Sequence, residues 1–302
     1  MVRSPIAEAY LERLTDRDVL VLTSAAEHEQ GPDRARHLLG SDPDRLERLL
    51  GSRQVFEAVF TDGSRGHELV GASPFLVFAV CVQRAVAELE SATYVMDWIG
   101  PGRRAPVFDA ARLREFTARG ETRLFLAQLL ASYTHVASGS VVTLTRRGLR
   151  RQRFSELDPV RLASLLDVVS DEERPGILRR LGDLALFLTG VFPDYVARRG
   201  FSEIEEGRLV RSGVYGPSAR RPQLVGSRSV GRDQPGAVSL LDQLGRRWYR
   251  SASRLVPAPA PGDTSMLDVL ADRFGEARRI LGMITERFIF TERGRLFGMP
   301  AD

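Results

Sequence analysis

GILRRLGDLALFLTGVFPDYV, residues 176–196, is the stretch whose reading decides the fold. Its apolar residues fall on nearly every side of a helix, the mark of an element buried all round. Its centre nevertheless carries Asp183, Gly182 and Gly190. A helix-interior glycine costs about 1 kcal/mol relative to alanine, so two of them in a core helix point to close packing. A buried carboxylate requires a polar partner. Gly182, Ala185 and Thr189 share one helical face, and Ala127, Ala131, Thr134 and Ser138 do the same in a second apolar segment, 121–138. These matched small-residue faces predict that the two helices touch, bringing Asp183 towards His135, with Tyr133 and Thr134 adding hydroxyls.

Working outward, the chain reads as short helices joined by tight turns. Ile6, Ala9, Tyr10 and Leu14 mark a first helix, and Val19–Leu22 the inner face of a second. Ser41-Asp42-Pro43 and Gly51-Ser52 punctuate several more between 33 and 60, with a Gly-rich loop at 61–71. Ser73-Pro74 places an N-cap serine before an N1 proline and opens a strong helix expected to run to Ile99. Short and long helices follow at 109–118 and 121–138. The one β signal is SVVTLT and LRRQRF around Arg146-Arg147-Gly148. Asp158-Pro159 caps a helix through Val169, and Pro193 ends the 176–196 helix. Residues 200–236, rich in glycine and proline, read as a long, partly mobile loop containing a short helix near 204–210. A helix at 237–256, a Pro-rich connector at 257–262 and one long final helix complete the chain. The fold class expected is mainly α, a single-domain multi-helix bundle over 1–302 with one small β-hairpin at about 140–154.

Composition narrows function mainly by exclusion. The formal net charge is +4, yet all 43 basic residues are arginine, and the chain has no lysine and no asparagine. That bias is explained by GC-rich codon usage, which weakens the high pI as a sign of a polyanionic partner. A single cysteine, Cys81, excludes an internal disulfide framework and a cysteine-based zinc site. The N-terminal residues lack a signal-peptide apolar core, and the longest apolar run, nine residues at 74–82, is far below the ~20 that span a bilayer. A cytoplasmic protein without membrane insertion is expected.

Two constellations bear on chemistry. A buried Asp183–His135 pair beside Tyr133 has the makings of an oriented general base; the alternative is that Asp183 faces Arg179 or Arg180, or accepts from Tyr133 as a satisfied core polar group. Arg146, Arg147, Arg150, Arg151 and Arg153 put five cations into eight residues without an acid, a basic ribbon suited to anion or nucleic-acid binding. The competing reading is a solvated face, or a seam to acidic helix starts such as Asp171-Glu172-Glu173. The four histidines show no metal-ligand spacing, so no metal is assigned, and no cofactor is indicated.

LGDLALFLTGVFPDYV (181–196), GVYG (213–216) and RFGEARRILGMITER (273–287), with ASYTHVASGSV (131–141) and RFSELDPVRLASLLDVV (153–169), together resemble a pattern of uncharacterised actinobacterial proteins over roughly 70–290. The resemblance implies no activity, cofactor or ligand. The functional expectation is a cytoplasmic helical regulatory or protein-interaction module with a protein partner or a homo-oligomeric state. Nucleic-acid or anionic-ligand binding through the arginine hairpin, and a small-ligand or enzymatic site at His135 and Asp183, remain alternatives.

Overall fold

The computed structural model describes residues 5–24, 32–60, 72–136, 138–145, 148–213, 236–256 and 263–299. In chain order the helices are α1 (Pro5–Leu11), α2 (Asp16–Ser24), α3 (Pro32–Ser41), α4 (Pro43–Gly51), α5 (Arg53–Phe60) and α6 (Pro74–Ser91). The hairpin β1 (Val95–Gly100) and β2 (Arg103–Val107) comes next, then α7 (Ala110–Thr117), α8 (Gly120–Ser132), and the hairpin β3 (Ser138–Thr145) and β4 (Gly148–Ser155). The remainder is α9 (Pro159–Ala163, continued by a 3-10 turn), α10 (Arg174–Val191), α11 (Pro193–Arg199), α12 (Glu203–Ser212), α13 (Ala237–Leu255), α14 (Asp263–Asp272), α15 (Phe274–Ile284, continued by a π turn) and α16 (Arg293–Phe297). The fold is mainly α, with the expected hairpin in place. The 61–71, 214–235 and 257–262 segments, and hence most of the expected loop and connector, lie outside the described residues.

The chain divides into two compact units, one formed from 1–95, 106–135 and 283–298, the other from 96–105, 136–282 and 299–302. In the first, α6 is the central element and packs on α8 and α4. The Ser73 hydroxyl accepts from the Leu76 N–H at 3.2 Å, as an N-cap does, and every residue from Phe75 to Gln83 is buried. Asp18, at the start of α2, is wholly buried because both of its oxygens are used: Oδ1 accepts from Ser73 N at 2.7 Å and Oδ2 from Thr15 N at 2.8 Å. The start of one helix is thereby fastened to the start of another.

The expected helix to Ile99 is corrected to end at Ser91. Beyond it, Thr93 to Ile99 is rich in β-branched and aromatic residues that favour a strand. The helix end is stabilised from elsewhere: Arg114 on α7 donates to the Leu89 and Ala92 carbonyls at 2.8 and 3.0 Å. The freed segment forms β1 and pairs with β2, a second hairpin absent from the sequence expectation.

In the second unit α10 is buried from Leu181 to Val191. A Cβ on Gly182 would lie 2.7 Å from the Tyr249 ring, and one on Gly245 of α13 would lie 2.5 Å from Phe274 and 3.0 Å from the Ala185 Cβ. Backbones therefore approach as the small-residue face requires, but the neighbour is corrected. α10 receives α13, while α8 packs on α6 in the other unit. The single long final helix is likewise corrected: it breaks at Arg273, and Phe274 turns in over Gly245. Replacing Gly245 with Ala is expected to destabilise the protein by about 1–3 kcal/mol through overpacking, read by thermal denaturation, with Phe274→Leu in the same chain recovering part of the loss.

Candidate functional site

Asp183 is the buried titratable group singled out by the sequence, and it is 8% exposed. Its Oδ1 accepts a 2.8 Å hydrogen bond from the Tyr249 hydroxyl. Burial pushes its carboxyl above the ordinary carboxylate range, against the Tyr249 hydrogen bond and the fields of Arg179 and Arg180. α10 supplies the carboxylate one residue from Gly182, and α13 lays the Tyr249 ring over that glycine. The arrangement is a carboxylate and a phenol sealed in a helix seam, which fixes the two helices in register.

The other sequence candidates lie in other surroundings. His135 is exposed beyond the end of α8, with Nδ1 3.0 Å from the Thr134 hydroxyl. Tyr133 is fully buried in the same unit as His135, whereas Asp183 belongs to the other unit. The helix expected over 121–138 stops at Ser132, because hydroxyls of its last turn fold back on carbonyls. Ser132 Oγ donates to Leu129 O and Thr134 Oγ1 to Ala131 O, both at 2.8 Å. Ser138 accordingly opens β3 instead of lying one turn after His135.

Of the arginine cluster, Arg146 and Arg147 lie outside the described residues. Arg150, Arg151 and Arg153 sit on β4, in register with Thr143, Val142 and Ser140 of β3. The acids at the start of α10 have local partners: Asp171 pairs with Arg174, and the Glu173 carboxylate accepts from the Ser170 N–H and hydroxyl at 2.9 and 3.0 Å.

Two acidic clusters escaped the sequence reading, and both hold the β1–β2 hairpin within its unit. Asp194, the second residue of α11, accepts from the Trp98 indole at 2.7 Å, Gly102 N at 2.9 Å and Arg104 at 3.2 Å. Burial acts to raise its pKa, but these three donors outweigh it and leave the carboxyl below its usual range. Asp97 pairs with Arg278 at 3.0 Å and Arg279 at 3.2 Å, and Arg278 also reaches Asp242 at 3.4 Å. Burial raises the pKa of Asp242, opposed mainly by Arg278. The spacing of Asp97, Asp194 and Asp242 along the chain carries no motif that would have announced these clusters.

A surface cleft of about 350 Å³ lies between α1 and α3, rimmed by Glu8, Glu12, Asp33 and His37. Its arginine, Arg36, is engaged with the Leu11 and Leu14 carbonyls, each at 2.7 Å, and with Asp16. Among the described residues no three His, Cys, Asp or Glu side chains are grouped to hold a metal ion, and no helix is long and apolar enough to cross a membrane. Comparison with known protein families, with curated proteins and with solved structures found no match for this chain.

Asp183→Asn keeps an acceptor for Tyr249 and removes the buried charge, so it is expected to be neutral or stabilising at neutral pH. Asp183→Ala orphans the hydroxyl and is expected to cost about 1–3 kcal/mol. Because the folded-state pKa is raised, the folded chain holds this proton more tightly than the unfolded one. Wild type and Asp183→Asn should therefore match below about pH 4, the ordinary carboxylate value, and wild type should lose stability relative to the variant as pH rises above it. Denaturant titrations across pH check both expectations.

Proposed function

We propose that this chain is a helical regulatory or protein-interaction module that works in the cytoplasm by binding a protein partner. The observation that carries the reading is a pair of surface aromatics in the first unit. Phe108 is 77% exposed and Tyr94 49%, with their rings 5.7 Å apart at an interplanar angle of 52°. A phenylalanine left that open forgoes most of the roughly 1.5–3 kcal/mol available on burial. Aromatic side chains are among the anchors that dominate protein–protein association.

The positions of the pair favour a preformed site. Tyr94 immediately precedes β1, and Phe108 lies between β2 and Asp109, the residue before α7. Both rings are therefore set by the ends of regular elements, which lowers the entropy lost on docking. The single cysteine fits the same reading. Cys81 is buried within α6, and burial pushes its thiol up, away from the reactive thiolate.

Native mass measurement on the protein purified from its own host tests the proposal. Expected is an added protein mass, either a different chain or a second copy, which Tyr94→Ser with Phe108→Ser removes. The substitutions should weaken association at least tenfold while shifting stability by no more than about 0.5 kcal/mol. Wild type at the bare monomer mass, or a complex indifferent to both substitutions, sinks the reading.

A further inference from the structure

We infer that the first unit binds an internal water molecule where α1, α4, α6 and α8 meet, bridging the Tyr10 hydroxyl, the Gln83 amide and the Arg123 guanidinium. The first support is that these three groups are buried and unpaired. Tyr10 is 1% exposed, Gln83 7% and Arg123 9%. Tyr10 Oη, Gln83 Nε2 and Arg123 Nε each lie out of solvent with no hydrogen-bond partner among the described residues. Other buried hydroxyls find acceptors within the fold. Thr117 Oγ1 donates to Leu113 O at 2.9 Å, Thr189 Oγ1 to Ala185 O at 2.8 Å, and Tyr249 to Asp183 at 2.8 Å. A buried polar group that lacks a protein partner is where ordered water is found.

The second support is that the three groups share one corner of the core. α8 packs on α1 and α6, and α4 on the same two helices. The Tyr10 ring also meets Phe75 of α6 at a centroid distance of 5.8 Å. The Tyr10 hydroxyl lies in the fields of Arg123 and Glu47, with Gln83 beside it but not directly bonded. Burial pushes the phenol above its ordinary range, against the Arg123 field, so the hydroxyl keeps its proton. Arg123 is held in place by its other nitrogens: Nη1 donates to Thr117 O at 2.8 Å and Ala118 O at 3.1 Å, and Nη2 to Glu47. Its Nε therefore cannot swing away to find a partner elsewhere.

The third support is the chemistry of the unpaired atoms. Each carries an N–H or O–H, so the partner they call for is an acceptor. Arg123 is already matched in charge by Glu47, which leaves the corner electrically balanced and gives an anion no net attraction. A water oxygen can accept from Gln83 and Arg123 while one of its hydrogens goes to the phenol oxygen. That makes the three hydrogen bonds typical of a buried water. Glu47, whose side chain is 31% exposed, is the member of the cluster nearest to solvent and marks the route of exchange. The water joins α1 to α6 and α8 through groups that do not reach one another directly.

The test is a melting-temperature series on the full chain with Tyr10→Phe, Gln83→Met and the two combined. With a bridging water, each single substitution should lower Tm by roughly 2–4 °C. The double variant should lose less than the sum, because the second substitution removes a bond to a water already weakened or displaced. If the groups are simply unpaired, Tyr10→Phe leaves Tm unchanged or raises it, which overturns the inference; strictly additive losses overturn it too. If a variant fails to fold, a high-resolution crystal structure of the wild-type chain decides. Expected is a water oxygen within hydrogen-bonding distance of Tyr10 Oη and of Gln83 Nε2 or Arg123 Nε. A chloride ion at that point, or a direct Tyr10–Gln83 hydrogen bond with no water, overturns the inference.

Discussion

Much of the second unit depends on how closely two helices approach. Where α13 crosses α10, Gly182 lies beneath the Tyr249 ring and Gly245 beneath the Phe274 ring, leaving no room for a methyl group at either position. One tyrosine answers two needs: its ring fills the space above Gly182, and its hydroxyl satisfies Asp183 on the next residue. The glycines weaken their helices by roughly 1 kcal/mol each, but without them the phenol could not come down to the carboxylate. The adjacent residue extends the same lock. Trp248 is fully buried, and its indole donates at 3.1 Å to Ser212 at the end of α12. Register along α13 thus fixes the positions of α10 and α12 together, and Phe274 adds α15.

The arginines make a second system. A guanidinium presents several donors in a planar fork, so one side chain can satisfy two carbonyls of a helix end at once. Arg36 does this for α1, Arg114 for α6 and Arg123 for α7, the last also pairing with Glu47. In a chain with no lysine and no asparagine, much of the basic charge is therefore structural. A high isoelectric point says little about partners here.

What the sequence made legible follows from the range of the forces involved. Ser73-Pro74, Asp158-Pro159 and Pro193 mark helix boundaries through contacts spanning a few residues, and they appear where expected. The β3–β4 hairpin is equally local. The end of α6 is not, because Arg114 completes it from 22 and 25 residues away. Small-residue stripes on 121–138 and 176–196 announced that each helix has a close neighbour but could not say which. The matching surface was Gly245 and Tyr249, on a helix whose apolar face looked ordinary. Neither compact unit is a continuous stretch of chain, so no shift of composition marks where one core ends and the next begins.

The same reasoning bears on Asp183. A buried carboxylate with a raised pKa suggests a catalytic acid when read alone, but catalysis also requires a substrate to reach it. Here the carboxylate is 8% exposed, and its phenol partner is fully buried beneath packed helices. A satisfied pair in a buried seam contributes to the choice of one packing over its neighbours: sliding α13 by a single turn would break the Tyr249–Asp183 hydrogen bond, at about 1–3 kcal/mol for a buried polar group left unsatisfied. Register specificity is therefore sufficient reason for the aspartate. It moves the search for function away from the core and towards Phe108 and Tyr94, exposed rings for which the fold itself provides no comparable reason.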